Sequence, residues 1–492
     1  MLDQLPILII VIPLIAGALC TLVRNETVCW GLTFIVTVVC FTSAVILLNL
    51  VQKNGAISYA LGGWTPPIGI EYRVDLLTSY VLILVSLIAG IVHIYGRRLV
   101  LSEIRSDLQG WYYGMYLLCL CGLMGIVITG DAFNAFVFME ISSLSMYVLI
   151  ALGRDKRALT ASFQYLIMGT IGATMYVIGV GLLYILTGTL NMVDLGVRLA
   201  PHLDSTAAIA GMAFIIVGLS LKLALFPLHL WLPNAYAYAP SATAAFIAAT
   251  STKVSIYLLA RYLYTVFGFD FAILSTPVPE VILIMSIIAM FAGSFIAIFQ
   301  DNLKHMLAYS SVAQIGYITL GFSLISVSGL TGSVVHIFNH AMMKGALFMR
   351  VGGIALQLGS SHLRDMAGIG RKMPLTMAGF VIAGASMLGV PGTVGFVSKW
   401  YLALGALERG AWWIVALLVM SSILVLAYMG RVVELAYFRP RPDGATPLQD
   451  PPKIMLLMAW ILIAGCVFFG INTDFTLGTA SQVTNLLIGQ AP

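Results

Sequence analysis

Apolar runs of about twenty residues or more follow one another through nearly the whole chain, each long enough to cross a bilayer's hydrocarbon layer as a helix. With no water at that depth, every backbone amide and carbonyl must be satisfied within the protein, which leaves helices or closed barrels. A barrel needs short alternating segments, and these runs are long and unbroken. Composition agrees: 60% of the 492 residues are hydrophobic and 9% are charged, against about 25% charged in a soluble domain. Aromatic residues at 11% also exclude a disordered chain. The expected fold class is an all-α polytopic membrane protein.

The runs place spans near 5–23, 28–50, 75–96, 110–129, 131–152, 160–187, 207–238, 241–266, 277–299, 303–326, 330–357, 375–405, 411–437 and 454–472, fourteen in all. The fourth and fifth are separated only by Gly130 and Asp131. Met1-Leu2-Asp3-Gln4 lacks a basic n-region, so the first run reads as a retained span. Loops after odd-numbered spans carry most of the basic residues, among them Arg97, Arg98, Arg105, Arg154, Lys156 and Arg157. Loops after even-numbered spans carry Lys53, Arg73, Arg198 and Arg409. The positive-inside rule puts the first group in the cytoplasm and both termini outside, in a cytoplasmic (inner) membrane.

Two spans are interrupted. The seventh reads GLSLKLALFPLHLWLPNAYAYAP, with Pro227, Pro233 and Pro240. The twelfth reads ASMLGVPGTVGFVSKWYL, with Pro391 among Gly389, Gly392 and Gly395. Proline removes a helical hydrogen bond and clashes with the preceding turn, so discontinuous helices are expected, simple kinks being the plainer alternative. Lys222 lies before the first break and Lys399 after the second. The two spans are five apart, and an odd offset reverses direction across the membrane. The pattern predicts two inverted five-helix repeats, spans 4–8 and 9–13, an arrangement of transporters. The chain then divides into helices 1–3 (1–109), a first repeat (110–266), a second repeat (277–437) and a C-terminal loop with helix 14 (438–492).

Charges inside spans carry the functional signal. Lys222, Lys253, Lys344, Lys399 and Glu140 all fall within apolar runs. A charge at a helix centre costs about 2.5–3.5 kcal/mol on insertion scales, so such groups must pair or meet water. Lys399 and Lys344 are placed to snorkel in part; Glu140 and Lys253 lie too deep. Glu140 is the clear intramembrane carboxylate and Lys222 its natural partner. A lysine whose counter-ion withdraws in a dry site favours its neutral form, which makes the pair a proton switch.

His336, His340 and Lys344 follow at four-residue steps and share one helical face over about 12 Å. Histidine titrates near neutral pH, and such a ladder suits proton relay. Hydrogen-bonded packing histidines are the bland alternative. A metal site is a third, but HIFNH lacks the glutamate of HExxH. His229, after Pro227, is either a relay group or a cap for freed carbonyls. Lys304 is expected to anchor at the cytoplasmic interface. Near it Tyr309, Ser310 and Ser311 hold water or tie helices together. Asp131 either attracts cations at an outer entrance or ends the fourth helix.

No cofactor or metal is expected on this chain. Its cysteines form no CxxC, and no nucleotide-binding loop is present, so any electron carrier sits on another chain. Scattered basic loops give no nucleic-acid surface.

At GDAFNAFVFMEI, LKLALFPLHLWLP, DNLKHMLAYSSVAQIGY, FNHAMMKGALF and GVPGTVGFVSKW the chain resembles the antiporter-like subunits shared by Mrp-type cation/proton antiporters, respiratory complex I and membrane-bound hydrogenases. The resemblance implies a fourteen-helix fold with a proton path along the membrane midplane. It implies that Glu140 pairs with Lys222, that Lys253 links onward, and that Lys399 ends the path. His336 and His340 would belong to the central hydrophilic axis. LPNAY at 232–236, where complex I members often carry LPDAH, looks more like the D-type member of Mrp assemblies and its hydrogenase relatives; GVPG departs from the Mrp-like GIPP. The leading expectation is a proton-translocating subunit of a multisubunit Mrp-type Na+/H+ antiporter, surrounded by lipid and other membrane subunits. The alternative is a proton-pumping subunit of a redox-driven complex. A pure scaffold would not repay the insertion of five buried charges.

Overall fold

The computed structural model describes residues 2–442 and 447–489. Its helices are α1 (Leu5–Val23), α2 (Glu26–Asn54), α3 (Leu76–Glu103), α4 (Gln109–Ile128), α5 (Ala132–Ala151) and α6 (Arg157–Thr187). Then come α7 (Met192–Leu199), α8 (Thr206–Leu223), α9 (Trp231–Tyr238), α10 (Ser241–Arg261), α11 (Val278–Ile298) and α12 (Leu303–Ser323). The last are α13 (Val327–Leu358), α14 (Pro374–Leu388), α15 (Val394–Glu408), α16 (Trp412–Val433), α17 (Lys453–Ile471) and α18 (Asp474–Leu487). A small antiparallel hairpin, β1 (Ile57–Ala60) and β2 (Glu71–Val74), pairs Ile57 with Val74 and Ala60 with Glu71.

The chain is a polytopic all-α membrane protein: among the described residues, eleven helices are long and apolar enough to cross a bilayer. Expected spans ten, eleven and twelve fall on α12, α13 and the pair α14/α15, which are not among those eleven. The reason is physical. From Gly329 to Ile354 every residue of α13 is buried, and α12 is buried over almost its whole length. Helices screened from lipid by other helices need not be apolar all round, and these two carry the histidines, serines and lysines. The outer helices show lipid the opposite face, with Phe163, Ile284, Val419 and Leu457 exposed.

Two expected spans are divided. The seventh becomes α8 and α9, the twelfth α14 and α15. Close backbone contact fixes the first. A Cβ on Gly218 of α8 would stand 2.6 Å from the Gly172 carbonyl of α6, so only glycine lets these helices approach. At the second break a Cβ on Gly395 would lie 1.7 Å from the Ser386 carbonyl.

Gly130 and Asp131 do separate two helices. The Gly130 amide donates to the Glu71 carbonyl of β2, and its carbonyl accepts from the Met192 amide of α7. Asp131 does not end the helix before it. It begins the next, its carboxylate accepting from the Asn134 amide at 2.7 Å as an N-cap of α5.

Candidate functional site

Lys222 occupies the last turn of α8, beside the first break. The freed carbonyls there find other donors: Trp231 Nε1 donates to the Leu221 carbonyl at 2.9 Å. Lys222 is buried, and its Nζ stands 3.4 Å from Glu140 Oε1 and 2.8 Å from Ser143 Oγ. Glu140 and Ser143 are three residues apart on α5 and share a face. Charge-assisted pairs usually close to about 2.7–2.9 Å, so this ion pair is long and the serine holds the ammonium more closely. The Glu140 side chain is 25% exposed. It shares its face with Phe133, Val137 and Leu144, which are exposed too.

Lys253 of α10 and Lys344 of α13 are fully buried. Lys253 donates to the Ala248 carbonyl and, at 3.4 Å, to Thr252 Oγ1. Lys344 donates to the Leu307 carbonyl at 2.9 Å and to Ser310 Oγ. Neither forms a salt bridge among the described residues. Sequence placed Lys344 to snorkel in part; it is instead sealed inside by α12, whose Leu307 and Ser310 supply its acceptors.

His336 bridges helices, one ring nitrogen 2.7 Å from Ser398 Oγ and the other 2.9 Å from Gln314 Oε1. His340 stacks beside it with ring centroids 6.1 Å apart. Both nitrogens of His340 are buried without a hydrogen-bond partner. Packing through hydrogen bonds therefore describes His336 and not His340. His229 Nδ1 is likewise unpartnered, its ring stacked on Phe226 and edge-on to Tyr309. Ser310 and Ser311 both return their hydroxyls to the Leu307 carbonyl.

Lys399 reaches back across the second break. Its Nζ donates to the carbonyls of Met387 and Leu388 at 3.0 and 2.9 Å and to Ser422 Oγ at 2.8 Å. It also lies 4.7 Å from the centre of the Tyr317 ring. A helix end leaves its last carbonyls without partners, and here a lysine takes two of them. Lys304 is buried at the end of the bundle where the basic loops gather: its Nζ donates to the Ala239 carbonyl that ends α9, and it lines a cavity with Arg154, Arg157 and His362.

The structure thus gathers the charged groups into separate islands: Glu140–Lys222–Ser143, Lys344–Ser310, Ser398–His336–Gln314 and Lys399–Ser422. Asp131 stays apart, bound into its cap. Among the described residues no cluster of three His, Cys, Asp or Glu side chains is placed to hold a metal.

Sequence reading missed Ser143, Ser398 and Arg350. The two serines carry no charge to mark them in an apolar run; only their spacing from Glu140 and Lys399 points to them. Arg350 lies near the end of a run, where arginine commonly snorkels. It is buried instead, with Nε and Nη2 unpartnered and the guanidinium 5.1 Å from the centre of the Trp460 ring.

The profile of a family described as NADH:quinone oxidoreductase/Mrp antiporter, transmembrane, matches residues 129–425. A protein of Desulforudis audaxviator named NADH-quinone oxidoreductase subunit N is 42% identical over 97% of this chain and 98% of its own length. The D component of the Na(+)/H(+) antiporter of Alkalihalophilus pseudofirmus is 31% identical over 98% of this chain and 97% of its own. Among solved structures, a chain of the membrane-bound sulfane sulfur reductase, an archaeal respiratory membrane complex, superposes with a TM-score of 0.90. It is 30% identical and covers 99% of this chain and 98% of its own.

Proposed function

We propose a redox-linked proton-pumping role for this chain, which belongs to the NADH:quinone oxidoreductase/Mrp antiporter family of membrane subunits. The observation that carries proton translocation is the long Glu140–Lys222 pair beside a broken helix, with Ser143 ready to keep the ammonium. When Glu140 withdraws, Lys222 gives its proton up toward the midplane; when Glu140 returns, Lys222 takes one again. Lys253, His340 and Lys344 receive and pass it, and Lys399 ends the path. The magnitudes suit such a switch. Moving one charge through 100 mV is worth about 2.3 kcal/mol, and one pKa unit is about 1.36 kcal/mol.

One feature of sequence, LPNAY, favours the Mrp D branch, and the longer comparison favours the other. The 42% relative over 97% of the chain outweighs the five residues LPNAY and supports a complex I-like assembly. The Na+/H+ antiporter reading stays as the second, supported by the 31% relative. In either, partner membrane subunits are supported by Glu140, since a carboxylate facing hydrocarbon is costly and a neighbouring chain would cover it. Fourteen spans in two inverted repeats, 110–266 and 277–437, would put one broken helix in each repeat. The basic loops would face the cytoplasm.

Purification of the assembly through a tag on this chain tests the choice. Iron–sulfur and quinone-reducing subunits are expected. Small antiporter subunits without redox centres would reverse the two readings. Reconstituted assembly with E140Q is expected to lose proton transport while keeping its composition; intact transport would refute the switch.

A further inference from the structure

At the end of the bundle away from the basic loops, a cavity of about 310 Å³ lies between the starts of α3 and α7, the end of α10 and the end of α18. None of the site residues described above lines it. Its wall holds a half-buried ion pair: Arg261 Nη2 donates to Asp75 Oδ1, with side chains 12% and 24% exposed. The same guanidinium reaches Thr78 Oγ1 and Tyr257 Oη, each at 3.0 Å. Thr78 and Tyr257 are themselves 3.0 Å apart, and Tyr257 donates to the Val127 carbonyl at 2.7 Å.

Tyr257 and Arg261 follow Lys253 on α10 at four-residue steps, so the three share one face over about 12 Å. Lys253 is an electrostatic neighbour of His336, His340 and Lys344. One face of α10 therefore runs from the central charged groups to the cavity wall. We propose that this cavity is an aqueous port of the proton path, with Asp75 the group that carries the proton there and Arg261 its gate. The inference rests on the proton-translocating reading above.

A mere pin between helices explains less. An ion pair open to solvent in part holds helices together only weakly, and a pin needs no cavity beside it. Other charged or titratable groups facing the cavity are Arg73 of β2, Tyr257 of α10 and Tyr264 just beyond it. Burial works to raise the Asp75 carboxyl, but Arg261 and the Thr78 amide hold it below the ordinary carboxylate value. While the pair is closed, Asp75 stays ionised and carries no proton. As Arg261 swings aside, Tyr257 turns its proton from the Val127 carbonyl to Thr78 Oγ1 and takes another in its place, while Thr78 releases its own to Asp75. The neutral carboxyl then gives that proton to water in the cavity, and Arg261 closes on the restored carboxylate. One proton moves and no residue is changed.

The test uses the whole assembly in proteoliposomes with a pH-sensitive dye. D75N is expected to slow proton transport about a hundredfold, the scale of a lost proton-transfer group, with subunit composition unchanged; D75E is expected to keep most of it. V193C, on the cavity wall away from the pair, is expected to react with a membrane-impermeant thiol reagent from one side only, the native cysteines being buried. Wild-type rates in D75N, equal loss in D75E and D75N, or an unreactive V193C would each overturn the port. If D75N fails to assemble, D75E and V193C decide. No proton movement by the wild-type assembly would overturn the reading beneath it instead.

Discussion

Lys399 Nζ lies 2.9 Å from the Leu388 carbonyl, so the lysine of α15 closes the end of the helix it has just left. The same ammonium that ends the proposed proton path therefore also holds the second break together. Its two duties separate on substitution. K399M leaves two carbonyls short of a donor, and a buried unsatisfied group costs about 1–3 kcal/mol. K399Q keeps donors but no titratable amine. Thermal unfolding is expected to fall in K399M and recover in part in K399Q, with proton transport lost in both.

Ser143 stands closer to Lys222 than Glu140 does, at 2.8 against 3.4 Å. S143A is expected to weaken the lysine's hold by about 1.5–3 kcal/mol, the worth of a hydrogen bond to a charged group. Transport rates of S143A, E140Q and the double variant form a cycle. The two effects are expected to be non-additive, as for residues in one network. Strict additivity would mean that Ser143 and Glu140 do not share the ammonium.

The two neighbouring histidines make opposite predictions. H336L strands the Gln314 carbonyl oxygen that now bonds its ring, while Ser398 keeps the Val394 and Gly395 carbonyls, and is expected to cost about 1–3 kcal/mol of stability. H340L removes a ring with no hydrogen bond and is expected to leave stability near wild type while transport fails. Melting temperature and transport, measured on both variants, check the contrast.

G218A sets a Cβ 2.6 Å from the Gly172 carbonyl. Overpacking of a tight contact costs typically about 1–3 kcal/mol, so α6 and α8 must separate and carry Lys222 with them. Lower thermal stability is expected together with slower transport. A stable variant with normal transport would show that the helices have slack that their glycines conceal.

The charged part of the site was legible because charge inside an apolar run is conspicuous. Glu140 and Lys222 could be paired from sequence because no other carboxylate lay as deep. Ser143 and Ser398 were not legible, since serine is cheap in a membrane helix and only a partner's position gives it meaning. The hairpin was hidden for another reason. Its strands lie in a glycine- and proline-bearing loop, and pairing Ile57 with Val74 is a non-local event that no local period announces. Lys344 went wrong: a long basic side chain near a run's end can reach water, but the structure turns its ammonium group inward to the Leu307 carbonyl of α12. The Asp75–Arg261 pair escaped because its halves stand at the start of α3 and the end of α10, where a charge is common and nothing local joins the two.

The burial of α12 and α13 has a consequence for how the chain is made. A translocon releases helices sideways into lipid when they are apolar enough to leave unaided, and these two carry a row of histidines, lysines and serines instead. They are the last part of the core that can be shown to hydrocarbon. Earlier helices such as α3 and α10 cover one part of α13, but α14, α15 and α17, made later, cover another, so this polar core closes only after the C-terminal helices have been made.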